Sequence, residues 1–122
     1  MKLGAPMLDA MKKLIDLFSR ASADRATMDE LRRMLDDRGS WQKARSIFDR
    51  IRQKRLLAQR SGDVRLDAQF AFEEACAKTL YNLTHSSAPY DADSPYWIIP
   101  DAFIVAGHCG ISDADVIAAI KA

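Results

Sequence analysis

Apolar residues recur along this chain at intervals of three and four, interrupted by short polar breaks, and that rhythm predicts helices from one end to the other. Pro6 suits a first helical turn, where its missing N–H is not needed, and Met7, Leu8, Met11, Leu14, Ile15 and Phe18 follow at helical spacing. A first helix is predicted from Pro6 to Ala21. Thr27 followed by Glu30 reads as a capping box for a second, with Leu31, Met34 and Leu35 inward. Gly39 stands where a left-handed residue would close that helix, and Ser40 where the next would be capped. From Trp41, the positions Trp41, Ala44, Ile47, Phe48, Ile51 and Leu56 trace one stripe, with Lys43, Arg45, Arg50, Arg52 and Lys54 off it. The third helix is therefore amphipathic and basic.

Ser61-Gly62-Asp63 supplies turn chemistry, after which Val64, Leu66, Phe70, Ala71, Cys76, Leu80 and Leu83 form a broad apolar band. This fourth helix is predicted to end at Leu83 or Thr84, with Glu73, Glu74 and Lys78 in solvent. A proline-rich segment follows, predicted as an ordered loop from Thr84 to Ile99. Helix resumes around Pro100 or Asp101 and continues through His108, with Gly110 at the left-handed closing position and Ile111 folding back on the last turn. Ser112 starts a final helix whose buried side is Val116, Ile117 and Ile120. Trp97-Ile98-Ile99 lacks the alternation of a strand. The pattern predicts an all-α fold: a single compact domain of five or six helices, with one longer ordered loop over residues 84–99.

Composition agrees with a folded domain. The chain has 122 residues, 48% of them hydrophobic and 29% charged, which is ordinary globular usage and enough to bury a core without disulfides. Two cysteines, Cys76 and Cys109, make no disulfide framework, and a reducing compartment is expected. No window approaches the roughly 20 apolar residues of a membrane span, and charge precedes any apolar run at the start. A cytoplasmic protein without a membrane partner is the expectation.

Charge changes the picture more. The net charge is only +1, yet residues 41–66 carry eight basic and two acidic groups, and residues 67–122 carry two basic and eight acidic. Such a division either steers a charged partner or draws the two halves of the molecule together. The basic run invites a nucleic-acid reading through Arg45, Arg52, Lys54 and Arg55. A recognition helix must expose its first residues, however, and here Trp41, Ala44, Ile47 and Phe48 commit that end to a core.

Candidate chemistry is sparse. Asp91-x-Asp93 opens like a calcium loop, but Pro95, Tyr96 and Ala102 stand where such a loop needs a ligand, glycine and glutamate. His85, His108, Cys76 and Cys109 show no zinc spacing and no nucleophile-and-base arrangement. No metal, no cofactor and no enzymatic activity are expected. What remains is Tyr90, Asp91, Asp93 and Tyr96 on a rigid loop, aromatic anchors beside acids as in an interface hot spot, with Glu73 and Glu74 nearby.

The stretch from Phe70 to Thr84, Phe-Ala-Phe-Glu-Glu-Ala-Cys-Ala-Lys-Thr-Leu-Tyr-Asn-Leu-Thr, with Ala88-Pro-Tyr-Asp-Ala-Asp-Ser-Pro-Tyr-Trp-Ile-Ile-Pro, resembles small bacterial proteins of the toxin-immunity type. That resemblance implies a single domain with no active site that binds and blocks a cognate toxin inside the producing cell. The resulting expectation is a non-enzymatic protein-binding protein that sets Tyr90, Asp91, Asp93, Tyr96, Glu73 and Glu74 against a basic partner, such as a nuclease toxin. The alternatives are a nucleic-acid-binding regulator using the basic helix, and a small homo-oligomeric module that buries the aromatic loop.

Overall fold

Phe18 and Phe72 meet edge-on in the centre of the molecule, ring centroids 5.2 Å apart and planes at 90°, and the helices are arranged around that contact. The computed structural model describes residues 4–22, 24–85 and 94–121, and side chains at 8–22, 24–84 and 98–121. These residues form six α-helices: α1 (Gly4–Ser19), α2 (Arg25–Asp36), α3 (Ala44–Arg60), α4 (Val64–His85), α5 (Ser94–Cys109) and α6 (Asp113–Lys121). A short 3₁₀ helix, Arg38–Lys43, joins α2 to α3. There is no strand among the described residues, and no helix among them is long and apolar enough to cross a membrane. The all-α expectation is met.

α4 is the axis of the bundle. It packs most extensively on α3 and α5 and also touches α2 and the 3₁₀ turn, while α1 closes the other side with α2, α5 and α6. Gln69, Phe70, Phe72, Glu73, Glu74, Ala75, Cys76, Ala77, Thr79 and Leu80 are all buried, so α4 has almost no solvent face. This overturns the expectation that Glu73 and Glu74 lie in solvent. Periodicity assigns one wet side to a helix, but a helix with neighbours all round must bury whatever its sequence supplies.

Several boundaries moved for identifiable reasons. Asp24, not Thr27, caps α2: its carboxylate accepts the Thr27 N–H at 3.4 Å and the Thr27 hydroxyl at 2.7 Å. Gly39 is not left-handed, since Gly62 and Gly110 are the glycines with positive φ. The chain instead tightens into the 3₁₀ turn, Asp37 accepts the Gly39 N–H at 3.2 Å, and the Trp41 indole donates to the Met34 carbonyl at 2.9 Å. The same carbonyl accepts the Asp37 N–H at 3.0 Å, so the buried tryptophan supplies a second hydrogen bond to the end of α2. Leu56 and Ile117, expected inside, are each 41% exposed; Ala58 is buried on α3, and on α6 Val116 is enclosed as expected.

The loop expected over residues 84–99 is shorter. α4 runs through His85 and α5 already begins at Ser94, so Pro95, in the first turn, does the starting work expected of Pro100, which lies inside the helix. The end of α5 follows expectation: Gly110 has φ 71°, and the Ile111 N–H bonds back to the Ala106 carbonyl at 3.0 Å. Asp63 caps α4 through the Leu66 N–H at 3.0 Å, and Ser112 caps α6 through the Asp115 N–H at 3.2 Å.

Candidate functional site

One face of α3 turns toward α4 and leaves a furrow between them. Arg45, Phe48, Arg52, Arg55 and Gln59 are spaced by three and four residues and therefore share that face. A central cleft of about 230 Å³ lies between Phe48, Arg52 and Arg55 on α3 and Ala71, Glu74, Ala75 and Lys78 on α4, with Asp101 of α5 at its edge. Toward the end of α4 it continues into a pocket of about 160 Å³ walled by Arg45, Phe48, Lys78, Tyr81 and Asn82. In the opposite direction it reaches a smaller one of about 140 Å³ beside Leu56 and Gln59. The shared residues make the three one continuous depression.

Its electrostatics centre on Arg55. The guanidinium donates from Nε to Asp67 at 2.8 Å and from Nη1 to Glu74 at 2.9 Å, and hydrogen bonding from Asp67, then Glu74, holds its pKa above the ordinary value despite desolvation. Glu74 Oε1 is buried with no hydrogen-bond partner. Asp101 is half-buried; burial raises its pKa, the Arg55 charge opposing and Glu74 adding to the rise. Arg52 is exposed and makes no ion pair among the described residues, whereas Arg45 pairs with Asp49 at 3.4 Å and lies over the Tyr81 ring at 5.8 Å. A single guanidinium charge is thus shared by two carboxylates on the floor, with Arg52 exposed at the rim.

A second polar cluster lies deeper. Lys54 donates to Asp24 at 2.8 Å and to the Thr27 hydroxyl at 3.3 Å, and Gln69 donates to Ser22 at 2.7 Å. Burial pushes Asp24 upward, but the Lys54 and Thr27 hydrogen bonds and the Lys54 charge together hold it below the usual carboxylate range. Glu73 sits beside this cluster fully enclosed, and no donor among the described residues meets either of its oxygens in hydrogen-bond geometry. Burial, with the Asp24 charge adding and Lys54 and Gln69 opposing, lifts its pKa to about 8. Glu73 is therefore a buried acid that holds its proton at neutral pH.

The chain matches no family model, no curated protein and no solved structure.

Of the residues expected to meet a partner, Tyr90, Asp91 and Asp93 lie outside the described residues. Tyr96 falls in the first turn of α5, its side chain likewise outside the description. Glu73 and Glu74 are withdrawn from the surface, one enclosed and the other tied to Arg55. Among the described residues no three His, Cys, Asp or Glu groups are placed to hold a metal ion. Cys76 is fully buried, and burial, with Glu73 and Asp101 adding, pushes its thiol well above the usual range. The furrow itself was not foreseen. Its signal was present in the spacing of Arg45, Phe48, Arg52 and Arg55, one aromatic among cations on a single face, but the facing wall from α4 and α5 has no counterpart in linear sequence.

Proposed function

We propose that this protein is a non-enzymatic binding protein of the toxin-immunity type, whose contact with a basic partner is made by the connection between α4 and α5. One observation carries the reading: Leu80 and Ile98 are both wholly enclosed, so the helices on either side of residues 86–93 are locked into the core. Tyr90, Asp91 and Asp93 lie in the sequence between these two anchored helices. The two carboxylates would raise the association rate with a cationic cleft such as a nuclease's.

The basic helix supports the nucleic-acid alternative less well. Lys54 is occupied by Asp24, Arg55 by Asp67 and Glu74, and Arg50 by Glu30, so much of that charge is spent inside the molecule. The test is calorimetric titration against the product of the neighbouring gene, with a toxicity assay alongside. Complex formation with loss of toxicity is expected, and an Asp91→Asn/Asp93→Asn double variant should associate about tenfold more slowly at low salt. Absence of both a complex and any change in toxicity would remove the proposal.

A further inference from the structure

We propose that the start of α2 is held by a proton-controlled latch, fastened to α3 and α4 while Glu73 is protonated and released when Glu73 loses its proton. The latch stands independently of the immunity reading.

The fastening is made of polar side chains from three helices. Asp24 caps α2 on Thr27 and accepts from Lys54 of α3 at 2.8 Å, while the same ammonium reaches the Thr27 hydroxyl at 3.3 Å. Just ahead of the cap, the Ser22 hydroxyl accepts the Asp24 N–H at 3.1 Å and the side-chain amide of Gln69, on α4, at 2.7 Å. Arg65 of α4 adds a bond to the Ala21 carbonyl at 3.0 Å. Thr27 and Met28, in the first turn of α2, are enclosed.

Glu73 stands one turn beyond Gln69 and therefore on the same face of α4. It is wholly enclosed, and neither of its oxygens has a hydrogen-bond partner among the described residues. A carboxyl in that setting is tolerated as the neutral acid, because a buried carboxylate without donors is costly. Lys54 and Gln69 are the groups that favour its charged form, and both are engaged in holding the start of α2. Neither meets Glu73 where it stands, so either must move to reach an ionised carboxylate, and the movement takes it from Asp24 or Ser22. Admitting water to the charge instead would equally require the seam between α2 and α4 to part.

The other titratable groups around Glu73 are accounted for. Asp24 is held below the usual carboxylate range and is ionised throughout, while the Cys76 thiol on α4 is pushed well above its range and stays neutral. Arg55 of α3 is committed to Asp67 and Glu74, and Asp101 of α5 bears on Cys76 and Glu74. In the latched form Glu73 keeps its proton up to about pH 8, and in the open form, meeting water, it returns toward 4.5. Between those values opening releases a proton. The opening constant therefore rises with pH, by at most about tenfold per unit, and levels off above about 8.

Amide hydrogen exchange followed by NMR reads opening at single residues. The Thr27 and Met28 amides, which donate to Asp24, are the probes, and the Ile111 amide, which closes α5, is the reference. After correction for the intrinsic rate, protection of Thr27 and Met28 should fall by about tenfold or more between about pH 6 and about pH 8, with Ile111 unchanged. Glu73→Gln should abolish that fall. Lys54→Met should lower protection of both probes by about tenfold already at about pH 6, since a charged hydrogen bond to the cap is lost. In the wild-type chain the Glu73 carboxyl carbon should titrate at about 8, a measurement that needs no variant to fold. The proposal is overturned if protection of the probes does not change with pH, if Ile111 falls equally, if Glu73→Gln keeps the fall, if Lys54→Met matches the wild type at about pH 6, or if Glu73 titrates in the ordinary glutamate range.

Discussion

Glu73 is the residue whose chemistry most exceeds its part in the helix pattern. Its folded pKa of about 8 stands far above the ordinary glutamate value of 4.5, and the sign of the consequence follows from proton counting. Below the ordinary value both the folded and unfolded chains are protonated and pH has no effect through this group. Between there and about 8 the folded chain keeps a proton that the unfolded chain has released. Stability therefore falls as pH rises across that window, by at most about 1.4 kcal/mol per pH unit, and levels off above it. Glu73→Gln, close in shape but unable to ionise, should flatten this slope and melt above the wild type at about pH 8.5 while differing little at about pH 5. Thermal denaturation at the two pH values decides the matter; parallel slopes in both proteins would show that the carboxyl is not buried as described.

At the scale of an element, α5 shows how the same substitution changes sign within three residues. Gly107 lies inside the helix, exposed, and an added methyl would meet nothing within 4 Å. Gly110 also has open space, but its φ of 71° is a conformation that side chains disfavour. Gly107→Ala should stabilise by about 0.5–1 kcal/mol, because alanine restricts the unfolded chain and favours helix. Gly110→Ala should destabilise by about 1–2 kcal/mol through backbone strain alone. Urea denaturation of both variants measures the contrast, and a shift of the same sign in each would contradict the closing geometry of α5. That closing turn was legible in the sequence because glycine, a following isoleucine and a serine cap are local signals. The start of α5 was less so, since Pro95 and Pro100 are each acceptable in a first turn and only packing selects between them.

Across the whole molecule, the basic and acidic segments meet at Arg55 among the described ion pairs. α3 and α4 share the most extensive helix contact, and Arg55 joins them through Asp67 and Glu74. Arg55→Met should cost about 2–3 kcal/mol, since Glu74 would be left buried and unpaired. The figure is set below that of a fully enclosed pair because Arg55 and Asp67 remain 34% and 33% exposed. Arg50→Ala, which removes the surface pair with Glu30, should cost less than about 1 kcal/mol and less still at high salt. Denaturant midpoints at low and high salt separate the two; equal losses would mean that Arg55 is no more an anchor than a surface cation.

The sequence by itself determined the helical class, the closing turn of α5 at Gly110 and the Ser112 cap, because periodicity and capping depend on neighbours a few residues away. It also specified that charge is segregated, though not where the segregated charges meet. Only the tertiary structure decided that α4 is enclosed on nearly every side, and so that Glu73 and Glu74 are internal groups instead of surface ones. The furrow too is a tertiary object: Phe48 and Tyr81, or Arg55 and Glu74, are brought together only when two helices pack. Local patterns report which side of a helix prefers a core, while enclosure depends on how many neighbours arrive, and that number is a property of the assembled fold.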